Sequence, residues 1–298
     1  MIRAVRPGAL VALAALASCV GPPAAMSPPK PSPPPPPALV PLQPATFEIE
    51  GAVEQGGALV GTAPVGTASL TFDGTAIPMA PDRTFLVAFD RDHGPSALLV
   101  ATLSDGRRVS KALTVAPRGW DISRLGSLPK YPVPSATFQR LRPTELAQIA
   151  AARATDHASD GWRQRFIWPA TGRISTNFGS QRIYQGGEKG AYHSGTDVAV
   201  PSGTPIVAPA DGVVILATDQ PFTLEGYLLM IDHGMGLNSA FLHLSAITVK
   251  VGDRVRQGQV IARSGASGRA TGPHLHWGLK WRDARLDPAL LTGPMPGG

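Results

Sequence analysis

From residue 47 to residue 115, apolar and polar positions alternate in short runs, the period of strands that bury one face. Ala68-Ser69-Leu70-Thr71-Phe72 is one such run. Asp73-Gly74 after it marks a tight turn, because both residues tolerate the positive φ that a two-residue hairpin requires. Residues 84–89 form another run of β-favouring side chains. Residues 97–103, the turn Asp105-Gly106 and residues 109–115 have the layout of a hairpin. The period changes over residues 143–153, where Leu146, Ile149, Ala150 and Arg153 recur at three-four spacing and Pro143 suits a first helical turn. Strand-like runs then return in the C-terminal part of the chain.

These elements predict a mainly β chain. Short strands at this spacing with no helical pattern predict an immunoglobulin-like β-sandwich over residues 46–116. A linker with a short helix follows over 117–161, then an antiparallel β domain over 162–292 and a tail at 293–298. The sandwich holds no cluster of acids, histidines or serines, so it reads as a spacer or contact module. His93 and His157, both in polar surroundings, read as solvated surface residues.

The start of the chain follows another pattern. Arg3 and Arg6 precede an apolar run at 9–17, then Ser18 and Cys19. That is the layout of a secretory signal, since a membrane-spanning helix needs about twenty apolar residues. Leu16-Ala17-Ser18-Cys19 resembles the lipobox of bacterial lipoproteins. The resemblance implies removal of the leader within residues 1–19, lipidation of Cys19, and, with Val20 next rather than aspartate, an outer-membrane destination. Several acyl chains hold a membrane far better than one. Residues 20–45 contain 12 of the 31 prolines. As polyproline II, the stretch from Pro22 to Pro44 rises about 3.1 Å per residue, giving roughly 70 Å of reach beyond the anchor.

Composition narrows the classes. Across 298 residues, hydrophobic side chains make up 43% and charged ones 16%, which excludes a highly charged disordered chain. A single cysteine excludes an intramolecular disulfide and a Cys-rich zinc module. The net charge of +6 suits an anionic partner. Without an RNA-binding aromatic signature, a basic helix or a Cys/His finger, nucleic acid is not the expected one.

Candidate chemistry lies in the C-terminal half, where five of the seven histidines fall between His193 and His276. His274-Leu275-His276 on a strand would put both imidazoles on one face and Leu275 and Trp277 in the core. His193-Ser194-Gly195-Thr196-Asp197 supplies an imidazole and a carboxylate. In Ala240-Phe241-Leu242-His243-Leu244, Leu242 and Leu244 on one face would leave His243 free on the other. Imidazole and carboxylate are good zinc ligands, and a catalytic zinc takes three protein ligands and keeps a place for water. Histidines beyond that number point to work on the water or the substrate.

Residues 168–291 resemble the catalytic domain of lysostaphin-type (LytM-domain) zinc metalloendopeptidases, which cut peptide cross-bridges or stems of bacterial peptidoglycan. Besides the histidine motifs, the resemblance rests on the stretches 203–214, Ile231-Asp232-His233-Gly234 and Val251-Gly252-Asp253-Arg254-Val255. It implies that His193, Asp197 and His276 hold Zn2+, and that His243 and His274 orient the attacking water and stabilise the tetrahedral intermediate. His233 matches a recurrent position without a ligand role and reads as structural. Two positions depart from the family: Phe241 stands where tyrosine is frequent, and Ser264-Gly265-Ala266-Ser267-Gly268 replaces Ser-Gly-Ser-Thr-Gly. Gly195 and Gly272 read as points where a peptide substrate comes close to the backbone. Residues 251–261 are also similar to biotinyl- and lipoyl-carrier domains, but no modifiable lysine stands at the following hairpin tip. The expectation is a periplasmic, lipid-anchored peptidoglycan endopeptidase of a Gram-negative envelope. The alternative is a catalytically silent relative that binds the wall and regulates other hydrolases. Filled positions at all five key residues favour the enzyme.

Overall fold

The computed structural model describes Gly21 and residues 45–130 and 134–296. The expected leader, Cys19 and nearly all of the proline tract lie outside the described residues. No helix among the described residues is long and apolar enough to cross a membrane.

Seven strands build the first part: β1 (Glu48–Gly51), β2 (Ala58–Thr62), β3 (Thr67–Phe72), β4 (Thr75–Ile77), β5 (Thr84–Ala88), β6 (Ser96–Leu103) and β7 (Arg108–Thr114). They divide into a sheet β1-β2-β5 and a sheet β4-β3-β6-β7, all pairs antiparallel. Alternation sends Leu70, Phe72, Phe85, Val87, Leu99 and Ala101 inward. The β3–β4 turn is the expected one, with Asp73 at φ 47° and Gly74 at φ 79°.

The sandwich does not stand apart as a spacer. Its core is continuous with that of the C-terminal domain, and Phe72 meets Trp281 edge-on at 6.1 Å between ring centres. Around that contact, Arg118 pairs with Asp287 at 2.7 Å, and Asp90 accepts bonds from the Arg285 N–H and the Tyr192 hydroxyl. A strand in the linker, β8 (Ile122–Arg124), pairs in parallel with β10 (Gln181–Ile183), so the linker joins the C-terminal domain as well.

The linker helix α1 (Ala136–Arg153) begins seven residues before Pro143, at an N-cap where Ser135 Oγ accepts from the Phe138 N–H at 3.1 Å. Its buried face is also not the expected one: Glu145 and Ile149 are buried while Leu146 is 49% exposed. The helix docks through ions as much as through apolar groups. Arg142 grips Glu225 with two bonds of 2.6 and 2.7 Å, and Glu145 accepts from the Thr223 N–H and hydroxyl. Apolar spacing cannot reveal a face built that way.

The C-terminal sheet runs β17 (Arg254–Val255), β13 (Gly212–Ala217), β14 (Tyr227–Asp232), β15 (Leu237–Leu244), β19 (Leu275–Trp281), β11 (Thr196–Ala199) and β9 (Arg173–Thr176), with β20 (Ala284–Leu286) also on β19. A second sheet, β12 (Pro205–Val207), β18 (Val260–Arg263) and β16 (Ala246–Ile247), packs against it, and α2 (Pro288–Thr292) closes the chain. One face of the large sheet meets the main core through Leu229, Ile231, Phe241, Leu275 and Trp277. On the other face, α1 covers Ile215, Leu228, Met230 and Ala240 with Ile149. This double cover explains why β14 reads as a continuous apolar run rather than an alternating one.

Candidate metal centre

Strand pairing assembles the site. Asp197 on β11 stands opposite His276 on β19. The alternation of β19 buries Leu275 and Trp277 completely and leaves His276 on the face that carries Asp197. His193 lies ahead of β11 in a loop pinned by two backbone bonds, from its own N–H to Ser180 and from the Gly179 N–H to its carbonyl. The result is a tight triad: His193 Nε2 to Asp197 Oδ1 is 3.0 Å, His276 Nδ1 to Asp197 Oδ1 is 2.9 Å, and His276 Nδ1 to His193 Nε2 is 3.0 Å. Among the described residues, these three form a group able to hold a metal ion.

The donor set fits a tetrahedral ion. Ligand atoms bonded at about 2.0–2.1 Å would lie roughly 3.3 Å apart, a few tenths of an ångström beyond the separations here. Burial alone would raise the Asp197 carboxyl, but the bonds and charge of His193 and His276 outweigh it and hold it well below the usual carboxylate range. Burial pushes His276 down, against the raising effect of its bond to Asp197.

Two further imidazoles join the triad. The His274 Nε2 lies 3.8 Å from Asp197 Oδ1, and the His243 and His274 ring centres are 4.8 Å apart. Each is anchored through Nδ1, His243 on the Ser267 carbonyl at 2.9 Å and His274 on the Gly272 carbonyl at 2.8 Å. A carbonyl only accepts, so Nδ1 donates in both rings and Nε2 is the nitrogen turned away from that anchor. His193 is oriented alike, its Nδ1 giving to the Asn177 carbonyl at 3.1 Å and its Nε2 facing the triad. Burial holds His243 down at about 4, against the raising effect of the Ser267 carbonyl, so the ring is neutral at pH 7.

His243 gets there by a route that simple alternation misses. It sits at a register shift between β14 and β15 with φ 61°, in the left-handed region. The bulge turns Leu242 toward the cluster under α1 and Leu244 into the main core, so the two leucines do not share a face. Its N–H is held by the Glu225 carbonyl at 2.8 Å.

Several expectations change with the geometry. Phe241 is fully buried in the core beside Trp277 on the neighbouring strand, so that position does not offer the groove a hydroxyl. Gly195 is needed by the fold: an added Cβ would stand 2.8 Å from His276 Nε2 and press on the Trp277 backbone. Gly272, by contrast, faces open space. His157 is no free surface residue, because both its N–H and its ring meet Asp232, a carboxyl that burial pushes up. His93 is half-buried against Phe72 and Phe89 and bonds Asp73. His233 is structural as expected: it is fully buried, gives its Nδ1 proton to the Asp211 carbonyl, and accepts from Ser239 through Nε2. The anchors Asn177, Ser267 and Gly272 act through main-chain carbonyls that any residue type supplies, so no side-chain pattern marks them.

The antiparallel sheet thus presents two imidazoles and a carboxylate able to hold a metal ion, with two oriented imidazoles beside them. Residues 191–288 match the model of peptidase family M23. It is 43% identical over 132 residues to peptidoglycan DD-endopeptidase ShyA of Vibrio cholerae, covering 44% of this chain and 30% of that protein. It is 42% identical over 122 residues to ShyC of the same organism, covering 41% of this chain and 28% of that protein. The chain thus spans under a third of either relative. Among solved structures, a protein assigned to peptidase M23 from Pseudomonas aeruginosa aligns with a TM-score of 0.62 at 29% identity, over 80% of this chain and 95% of its own.

Proposed function

We propose that this protein is a zinc-dependent endopeptidase that hydrolyses peptide cross-links or stems of bacterial peptidoglycan. The observation that carries the reading is the convergence, on one sheet face, of a His193–Asp197–His276 triad with two imidazoles anchored through Nδ1 beside it. His193, Asp197 and His276 would hold the zinc, which supplies Lewis acidity to a water and to the scissile carbonyl. The chain's own groups do the rest. One of the Nε2 atoms of His243 and His274 accepts the proton that the attacking water loses. The other, once protonated, hydrogen-bonds the oxygen that gains negative charge. Anchoring both rings through Nδ1 before substrate arrives removes the cost of orienting them. The names of the ShyA and ShyC relatives support peptidoglycan as the substrate.

The N-terminal lipobox supports export, lipidation of Cys19 and anchoring to the periplasmic face of an outer membrane, with the proline tract as the tether. Incorporation of labelled fatty acid that disappears in Cys19→Ser would test this.

The deciding experiment measures zinc per chain and the release of soluble fragments from purified sacculi, with and without chelator. One zinc and chelator-sensitive release are expected. His193→Ala combined with His276→Ala should lose both, and release that persists in the double variant sinks the site assignment.

A further inference from the structure

Strand β19 carries a second set of groups on the face that holds the metal centre. Since Leu275, Trp277, Leu279 and Trp281 fill the core, His276, Gly278 and Lys280 line the opposite face. Gly278 is half-buried, and a Cβ there would meet only the Ser194 carbonyl at 3.4 Å and His276 Nε2 at 3.7 Å. With no side chain at that point, the floor stays open from His276 to Lys280. Four residues of strand span roughly 13 Å.

Lys280 is one of three cations gathered there. Strand pairing sets both Asn238 and Arg285 beside it. Arg153, the last residue of α1, donates from Nε to Asn238 Oδ1 at 3.2 Å and has no carboxylate within 4.0 Å among the described residues. Arg285 bonds the Tyr192 hydroxyl at 3.2 Å. Among the described residues, the acid paired with Lys280 is the fully exposed Asp283, at 3.4 Å. Burial pushes Arg153 and Lys280 down, and Arg285 repels both of them. Glu225 offsets part of this for Arg153 and Asp90 for Arg285, without a contact ion pair to either guanidinium among the described residues, so an anion reaching the three cations is favoured.

We propose that Arg153, Lys280 and Arg285 bind a carboxylate of the substrate peptide, namely the free terminal carboxylate of a cross-linked stem. This rests on the peptidoglycan reading above. In a direct cross-link through the side-chain amine of a diamino acid, about ten bonds separate the scissile carbonyl from the acceptor stem's terminal carboxylate. That is an extended reach of roughly 12 Å, which matches the span from His276 to Lys280. The two guanidinium forks suit the paired oxygens of a carboxylate, and the ammonium adds a point charge. Such a grip would fix the register in which the scissile bond meets the metal centre.

Calorimetric titration of the zinc-loaded full chain with an uncross-linked stem tetrapeptide, as free acid and as C-terminal amide, tests this. The acid should bind about tenfold tighter than the amide. Lys280→Gln and, separately, Arg153→Gln should erase that preference while leaving zinc content and amide affinity unchanged. Equal binding of acid and amide by the unaltered chain overturns the site, as does a preference that survives in both variants. Fragment release from sacculi is scored independently: a preference for the acid without any hydrolysis keeps the carboxylate site and overturns the peptidase reading.

Discussion

His243 shows how much of the site is decided around a single side chain. Its N–H, its Nδ1 and its left-handed backbone are each committed, to Glu225, to Ser267 and to the bulge, leaving only Nε2 for chemistry. His243→Ala should therefore lower kcat by about 10²–10⁴ with zinc content unchanged. Steady-state kinetics beside metal analysis checks this, and loss of zinc would make His243 a ligand instead. His233 gives a prediction in pH. Its folded pKa of about 4 lies below the ordinary 6.5, because burial disfavours the charged ring. Between those values the unfolded chain binds a proton that the folded chain does not. Stability therefore rises with pH through this window and is lost as pH falls, by up to roughly 3 kcal/mol from this residue. Denaturant midpoints from pH 7.5 to pH 4.5 should fall more steeply in the unaltered chain than in His233→Gln. Parallel curves would remove His233 as the cause.

At the level of elements, α1 and the loop between β13 and β14 act together. Arg142 neutralises Glu225 and Glu145, whose side chains are only 10% and 8% exposed. Arg142→Met would leave two buried carboxylates without their cation, a loss of about 3–5 kcal/mol. Since the Glu225 carbonyl also holds the His243 N–H, hydrolysis should fall along with the melting temperature. A variant that melts normally would show that the clamp contributes little. The bulge at His243 and the displaced face of α1 share a cause. In both, the side-chain pattern is overruled by backbone or ionic partners distant in sequence. Where alternation is uninterrupted, as in β19 and β6, the elements follow it closely.

At the scale of the whole molecule, among the described residues, the sandwich and the C-terminal domain share one core and one set of ionic contacts. The buried Arg91, on a sandwich loop, donates from Nε to the Gly179 carbonyl at 2.9 Å, and the Gly179 N–H in turn holds the His193 carbonyl. The loop bearing the first candidate ligand is thus braced from the other domain. Arg91→Ala should cost about 1.5–3 kcal/mol of stability, the range for a hydrogen bond from a charged group. Zinc affinity should weaken with it, as read by competition with a chelating dye. Unchanged zinc affinity would mean that the sandwich supports the fold but not the site.

The sequence by itself determined the mainly β architecture through strand alternation. Its histidine motifs, with their resemblance to the lysostaphin-type family, pointed to the five residues of the site, but not to the bulge that carries His243. The linker helix was legible only in its second half, where apolar residues recur. What holds the five in place was decided by the tertiary structure alone: the carbonyls of Asn177, Ser267 and Gly272, the ion-paired face of α1, and Arg91 reaching across from the sandwich. Main-chain acceptors carry no residue signature, and ion pairs between residues some 80 positions apart leave no period in the chain. Only folding brings them together.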